Sequence, residues 1–149
     1  MIVYIGADHN GFELKQALIS LVRERGYEVV DVGNERLEKD DDYPVFAKGV
    51  AEKVSAQYEG ARGILICGSG IGMDVVANKF PRVRSALIHS SDQAFDSRHE
   101  DDANVLVIPA RYVDAEAAKL IVATWLTTPF SGEERHARRL QEVYKLEEQ

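Results

Sequence analysis

A three-layer α/β/α sandwich on a five-stranded parallel sheet, Rossmann-like, is the fold class that this 149-residue sequence predicts. Three observations carry it. Short apolar runs recur along the chain, and the run Ile64-Leu65-Ile66 suits a strand buried on both faces. Segments with helical periodicity separate these runs, and strands alternating with helices at this spacing imply parallel βαβ units. Finally, Gly68, Gly70 and Gly72 break one apolar run where a helix-compatible segment resumes, placing backbone amides and a helix dipole at one spot. Such a spot favours an anion.

In order, Ile2–Ile5 reads as a first strand, ending in Gly6-Ala7-Asp8-His9-Asn10-Gly11. Leu14, Ala17, Leu18, Leu21 and Val22 then share one helical face, and Gly26 is placed to end that helix. A second strand spans Glu28–Val32. Residues 34–43, with Asp40-Asp41-Asp42, read as an exposed charged loop. Pro44 suits the first turn of a helix to about Tyr58, with Phe46, Val50 and Val54 at four-residue spacing. The central strand, Gly63–Cys67, follows with its glycine turn and a helix to about Lys79. Strands at Arg84–His89 and Asn104–Ile108, a short helix over 91–99, and helices at about Asp114–Leu126 and Gly132–Lys145 complete the pattern. No repeat or linker interrupts it, so residues 1–149 read as one domain.

Composition narrows the function. No apolar run approaches the ~20 residues that span a bilayer, and the N-terminus lacks a signal-peptide pattern. A single cysteine forms no internal disulfide, which points to a reducing cytoplasm. A net charge of −7 argues against nucleic-acid or membrane-surface partners, but local arginines can still bind a small anion. The four histidines show no metal-ligand spacing, and no metal or cofactor is indicated.

In open α/β sheets ligands bind outside the carboxyl ends of the strands. The candidates there are Asp8 and His9 after the first strand, Cys67 through Gly72 after the third, and Arg111 after the fifth. The glycine turn departs from G-x-G-x-x-G, since Met73 stands at the third glycine and Gly72 falls one residue early. A thiol at Cys67, before a helix start, is expected to be pushed toward thiolate. In the final helix Arg135, Arg138 and Arg139 share a face. Arg138 has Glu134 and Glu142 within four residues, and Arg139 has Glu142 at three, whereas Arg135 has no acid three or four residues away. An anion between Arg135 and Arg139 would relieve their repulsion.

Together these residues resemble the type B ribose 5-phosphate isomerases and the related galactose 6-phosphate isomerase subunits. The resemblance runs from Ile2 to about Leu140. It is carried by Asp8-His9-x-Gly11-Phe12, Asp42-Tyr43-Pro44, Ile66-Cys67-Gly68-Ser69-Gly70-Ile71-Gly72 with Ala77-Asn78-Lys79, Asn104-Val105-Leu106, and Arg135-His136-x-x-Arg139. It implies a metal-free aldose–ketose isomerisation through a cis-enediolate, in a homodimer or homotetramer with sites between subunits. By position, Cys67 matches the general base and Ser69 the hydroxyl that helps move the O1/O2 proton. The Gly68, Gly70, Ile71 and Gly72 turn matches the enediolate-binding amides. Asp8, His9 and Tyr43 match the groups holding sugar hydroxyls, and Arg111, Arg135 and Arg139 those binding phosphate.

One stretch departs from that pattern. Many family members carry arginine-x-histidine-asparagine-aspartate before the fifth strand, and the histidine is assigned to opening the sugar ring. Here Arg98-His99-Glu100-Asp101-Asp102 puts Glu100 at the histidine position and Asp101 at the asparagine, with His99 one residue early. Either Glu100 or His99 opens the ring, or the substrate differs, or the activity is lost. Ribose 5-phosphate is the first substrate expected. The alternatives are a hexose 6-phosphate such as allose or galactose 6-phosphate, and a non-catalytic sugar-phosphate or nucleotide-binding module.

Overall fold

The computed structural model describes residues 1–149. The elements run β1 (Ile2–Ala7), α1 (Phe12–Glu24), β2 (Glu28–Asp31), α2 (Tyr43–Ala56), β3 (Ala61–Cys67), α3 (Ile71–Ala77), β4 (Ser85–Leu87), α4 (Ser91–His99), β5 (Val105–Pro109), α5 (Ala115–Thr127) and α6 (Glu134–Glu147). All strand pairings are parallel, in the order β2-β1-β3-β5-β4. No helix is long and apolar enough to cross a membrane.

Side chains alternate between the two faces of each strand, and both faces are covered. Val3, Ile5, Ile64, Ile66, Leu106 and Ile108 pack with Leu18 and Val22 of α1, Ala94 of α4 and Ile121 and Trp125 of α5. Tyr4, Leu65, Cys67, Val105 and Val107 face Phe46, Val50 and Val54 of α2 and Met73 and Ala77 of α3. Each fully buried aliphatic side chain contributes about 1.5–3 kcal/mol, so this double coverage explains the nearly continuous apolar strands.

β4 is shorter than the expected Arg84–His89. It is an edge strand and pairs only with β5, although Ile88 N–H still donates to Val107 O (3.0 Å). At the amino edge of the sheet, Asp102 joins two arginines. Its Oδ1 accepts from Arg98 Nη1 (2.7 Å) and its Oδ2 from Arg84 Nη2 (3.1 Å). Arg98 is buried and also donates to Ala103 O (2.7 Å) and Thr128 O (3.3 Å). α6 crosses this edge: His136 meets His99 at one end, and Glu147 accepts the Arg82 amide (2.8 Å) at the other.

The chain winds outward in opposite directions from β1 and β3, so their carboxyl ends form the switch-point crevice. Gly70 makes the turn there. Its φ of +77° is left-handed, and a Cβ on it would lie 2.4 Å from Leu87 Cδ1. Gly70→Ala should therefore lower unfolding free energy by about 2 kcal/mol or more, read from the denaturant midpoint. An unchanged midpoint would show that the turn relaxes freely.

Candidate active site

The crevice is assembled from the ends of β1, β3 and β5. Beyond β1, Asp8 N–H donates to Ile66 O (3.3 Å), and the Asp8 side chain accepts the Asn10 amide (2.9 Å). Asp8 is buried, and burial raises its carboxyl pKa, although the Asn10 amide and His9 oppose the rise. His9 turns toward the loop after β2. Its amide (3.0 Å) and its Nδ1 (2.7 Å) both meet Asp41 Oδ1, and this hydrogen bond raises the histidine pKa.

Beyond β3 and β5 the ladder continues, with Ala110 N–H on Cys67 O (2.8 Å) and Arg111 N–H on Gly68 O (3.0 Å). The Arg111 guanidinium therefore lies over Gly68, where a Cβ would stand 2.9 Å from its Nη2 and 3.3 Å from Asn10 Nδ2. Tyr43, from the start of α2, lies against Gly72, and any Cβ at Gly72 would collide with its ring at 2.4 Å. Ser69 Oγ accepts the Ile71 amide (3.3 Å).

Cys67 Sγ is buried and accepts the Gly70 amide (3.2 Å). Its pKa is raised, not lowered as the helix start suggested. Burial is the largest cause and the Asp8 charge adds to it, outweighing the Gly70 and Met73 amides and Arg111. The thiol sits inside the α2/α3 core, so losing water costs its charged form more than two amides return. Alkylation of the substrate-free protein by iodoacetamide, followed against pH, should show a midpoint above the ~8.5 of a free thiol. A midpoint near neutrality would mean that the amides and Arg111 win.

Asp8, His9, Tyr43, Cys67, Gly68, Ser69, Gly70, Ile71, Gly72 and Arg111 thus come together. His99, Glu100, Asp101, Arg135 and Arg139 do not join them within one chain. They follow α4 and open α6, at the amino edge, where Asn104 N–H meets Arg84 O just before β5 begins. β5 alone, Val105 to Pro109, separates the two edges by ~13 Å. His99 stacks on Phe95 with ring centroids 4.9 Å apart and meets the edge of His136 at 6.0 Å. Glu100 and Asp101 are exposed and make no ion pair. Arg138 pairs with Glu134 as its spacing suggested. Arg135, which has no helical acid partner, finds Glu133 Oε2 at 3.1 Å, just before the helix. The Glu142 expected beside Arg139 does not pair with it, and Arg139 stays free of ion pairs.

Sequence reasoning missed Asp41, Asn34 and Lys15. Asp41 sits in a run of three acids that reads as exposed loop, yet its side chain is only 9% exposed. The fully buried Lys15 did leave a signal, since Lys15, Leu18 and Val22 fall at i, i+3, i+7 on the buried stripe of α1. Asp8, His9 and Asp41 also place their ligand-type atoms within 4.8 Å of one another, a grouping that could hold a metal. The imidazole and carboxylate already satisfy each other.

A family model described as Ribose/Galactose Isomerase matches residues 3–143. Ribose-5-phosphate isomerase B of Mycobacterium tuberculosis is 40% identical over 147 residues, covering 99% of this chain and 90% of the relative. Its counterpart from Escherichia coli is 39% identical over 147 residues, covering 98% and 96%. The crystal structure of ribose-5-phosphate isomerase B from Mycoplasma genitalium with bound ribulose-5-phosphate superposes with a TM-score of 0.96, at 36% identity over 99% of this chain and 97% of that one. With its central Cys67-Gly68-Ser69-Gly70 turn at the sheet's switch point, the chain belongs to the ribose/galactose isomerase family.

Proposed function

We propose that this protein is an aldose–ketose isomerase that interconverts ribose 5-phosphate and ribulose 5-phosphate. The carrying observation is Cys67, buried at the switch point with an amide on its sulfur and the charges of Asp8 and Arg111 acting on it, in a chain alike over its full length to isomerases of that name. In this reading the Cys67 thiolate moves a proton between C1 and C2 of the open-chain sugar. Its raised pKa leaves less thiolate at neutral pH but makes that thiolate a stronger base toward a carbon acid. The enediolate oxygen is met by turn amides not spent on side chains. Gly70 and Ile71 donate to Cys67 and Ser69, which leaves those of Gly68, Ser69 and Gly72. Ser69 Oγ carries the proton between O1 and O2, while Asp8, His9 and Tyr43 hold hydroxyls and Arg111 meets the phosphate.

The remaining groups come from a second copy. Arg135 and Arg139 add to the phosphate site and Glu100 opens the ring, with Asp101 beside it. The separation of the two sets across the sheet supports this. So does α3, which exposes Ile71 and Val75 at i, i+4 beside the crevice. Glu100 is preferred to His99 because the His99 ring is packed against Phe95 and His136. The reading takes residues 1–149 as one domain acting in the cytoplasm, as a homodimer or homotetramer.

Two measurements test it. Cys67→Ala should abolish deuterium exchange at C2 in heavy water and retain sugar-phosphate binding; full activity in that variant would remove Cys67 as the base. Mixing inactive Cys67→Ala and Arg139→Ala proteins through unfolding and reassembly should restore about a quarter of wild-type activity, because half of randomly formed dimers carry one intact shared site. No recovery would place both residues in one chain's site. A panel of pentose and hexose phosphates separates ribose 5-phosphate from the six-carbon alternatives.

A further inference from the structure

A chain of polar contacts runs to His9 from a buried residue outside the crevice. Lys15 is fully buried on α1, where an ammonium is costly unless every donor is used. Its Nζ donates to Asp31 Oδ1 (2.9 Å), Asp31 Oδ2 (3.0 Å) and Asn34 O (2.9 Å). Those contacts hold the turn after β2, which Asp31 Oδ1 tightens by accepting the Gly33 amide (2.9 Å). From that turn, Asn34 Nδ2 donates to Asp41 Oδ2 (3.0 Å). The other carboxylate oxygen, Oδ1, takes both the amide and Nδ1 of His9. Both oxygens of Asp41 are thus committed.

We propose that Asp41 is a positioning residue for His9, clamped through Asn34 by the buried Lys15 and its partner Asp31 so that His9 meets the substrate through Nε2 alone. This rests on the isomerase reading for what His9 touches, but not for how it is held. With Nδ1–H on a carboxylate, the neutral ring has one tautomer, and its remaining nitrogen is the only one free for a ligand. A loop acid in water fixes nothing, whereas Asp41 has given up its water for three specific donors. The charged groups facing His9 are Asp41, Asp8 and Asp40, all acids. They favour the imidazolium, in which Nε2 donates, while at higher pH the same atom accepts.

The test reads His9 in the substrate-free protein by nitrogen–proton NMR of its ring. In wild type, Nδ1 should carry the proton in the neutral form, and titration should lie above that of an ordinary histidine. Asp41→Asn should lower the midpoint, mix the tautomers, shift the pH profile of kcat/KM to the acid side and cut kcat/KM roughly tenfold at neutral pH, the scale on which removing an orienting partner of a histidine acts. Asn34→Ala, which removes the Nδ2 donor to Asp41 but keeps the backbone carbonyl on Lys15, should move both readouts the same way by less. An unmoved His9 titration in Asp41→Asn overturns the proposal, even if activity falls. Absence of isomerase activity in wild type would instead defeat the functional reading and leave the titration result standing.

Discussion

Parallel pairing of β3 with β1 on one side and β5 on the other is the constraint on which the rest of this molecule depends. It sends the carboxyl ends of all three strands to one edge, so Asp8, Cys67 and Arg111 meet although 103 residues separate the first from the last. The same geometry returns every connecting helix to the opposite edge. α4 therefore delivers His99, Glu100 and Asp101 to the end of the sheet opposite Cys67. What the parallel sheet joins and what it separates follow from one rule of chain direction.

Within the crevice, burial competes with hydrogen bonding, and the winner differs by residue. At Cys67 the desolvation of a core position exceeds the pull of two amides and one guanidinium, and the thiol stays protonated longer. At Asp8 the same loss of water wins over the Asn10 amide and the His9 charge. At His9, which is one-third exposed, the Asp41 hydrogen bond wins instead. The site thus holds an acid and a thiol biased toward their neutral forms, next to a histidine biased toward its charged one.

Polar anchoring away from the crevice follows one pattern. Lys15 and Arg98 are both buried cations with all or most donors engaged, each by a carboxylate and a backbone carbonyl. Each ties down a segment that carries site residues: Lys15 the loop behind His9, Arg98 the stretch around Glu100. Removing one partner from either would leave a buried charge unpaired, which costs several kcal/mol. Hydrophobic packing stabilises the layers, but these two cations set where the loops lie.

Periodicity and glycine spacing determined the architecture from the sequence alone, because a strand buried on both faces and a helix buried on one leave different apolar patterns. The strand-end residues Asp8, His9, Cys67 and Arg111 were legible for the same reason. Boundaries shifted where an edge strand lost one set of hydrogen bonds, as at β4. Tertiary structure alone decided three things. It set the sign of the Cys67 shift, since local dipoles are written in the sequence near a residue but the water it loses is not. It recruited Asp41, whose partner His9 lies 32 residues away with no spacing signal. It also divided the site residues between two edges of one sheet, because the direction of each chain segment appears only once the strands are paired.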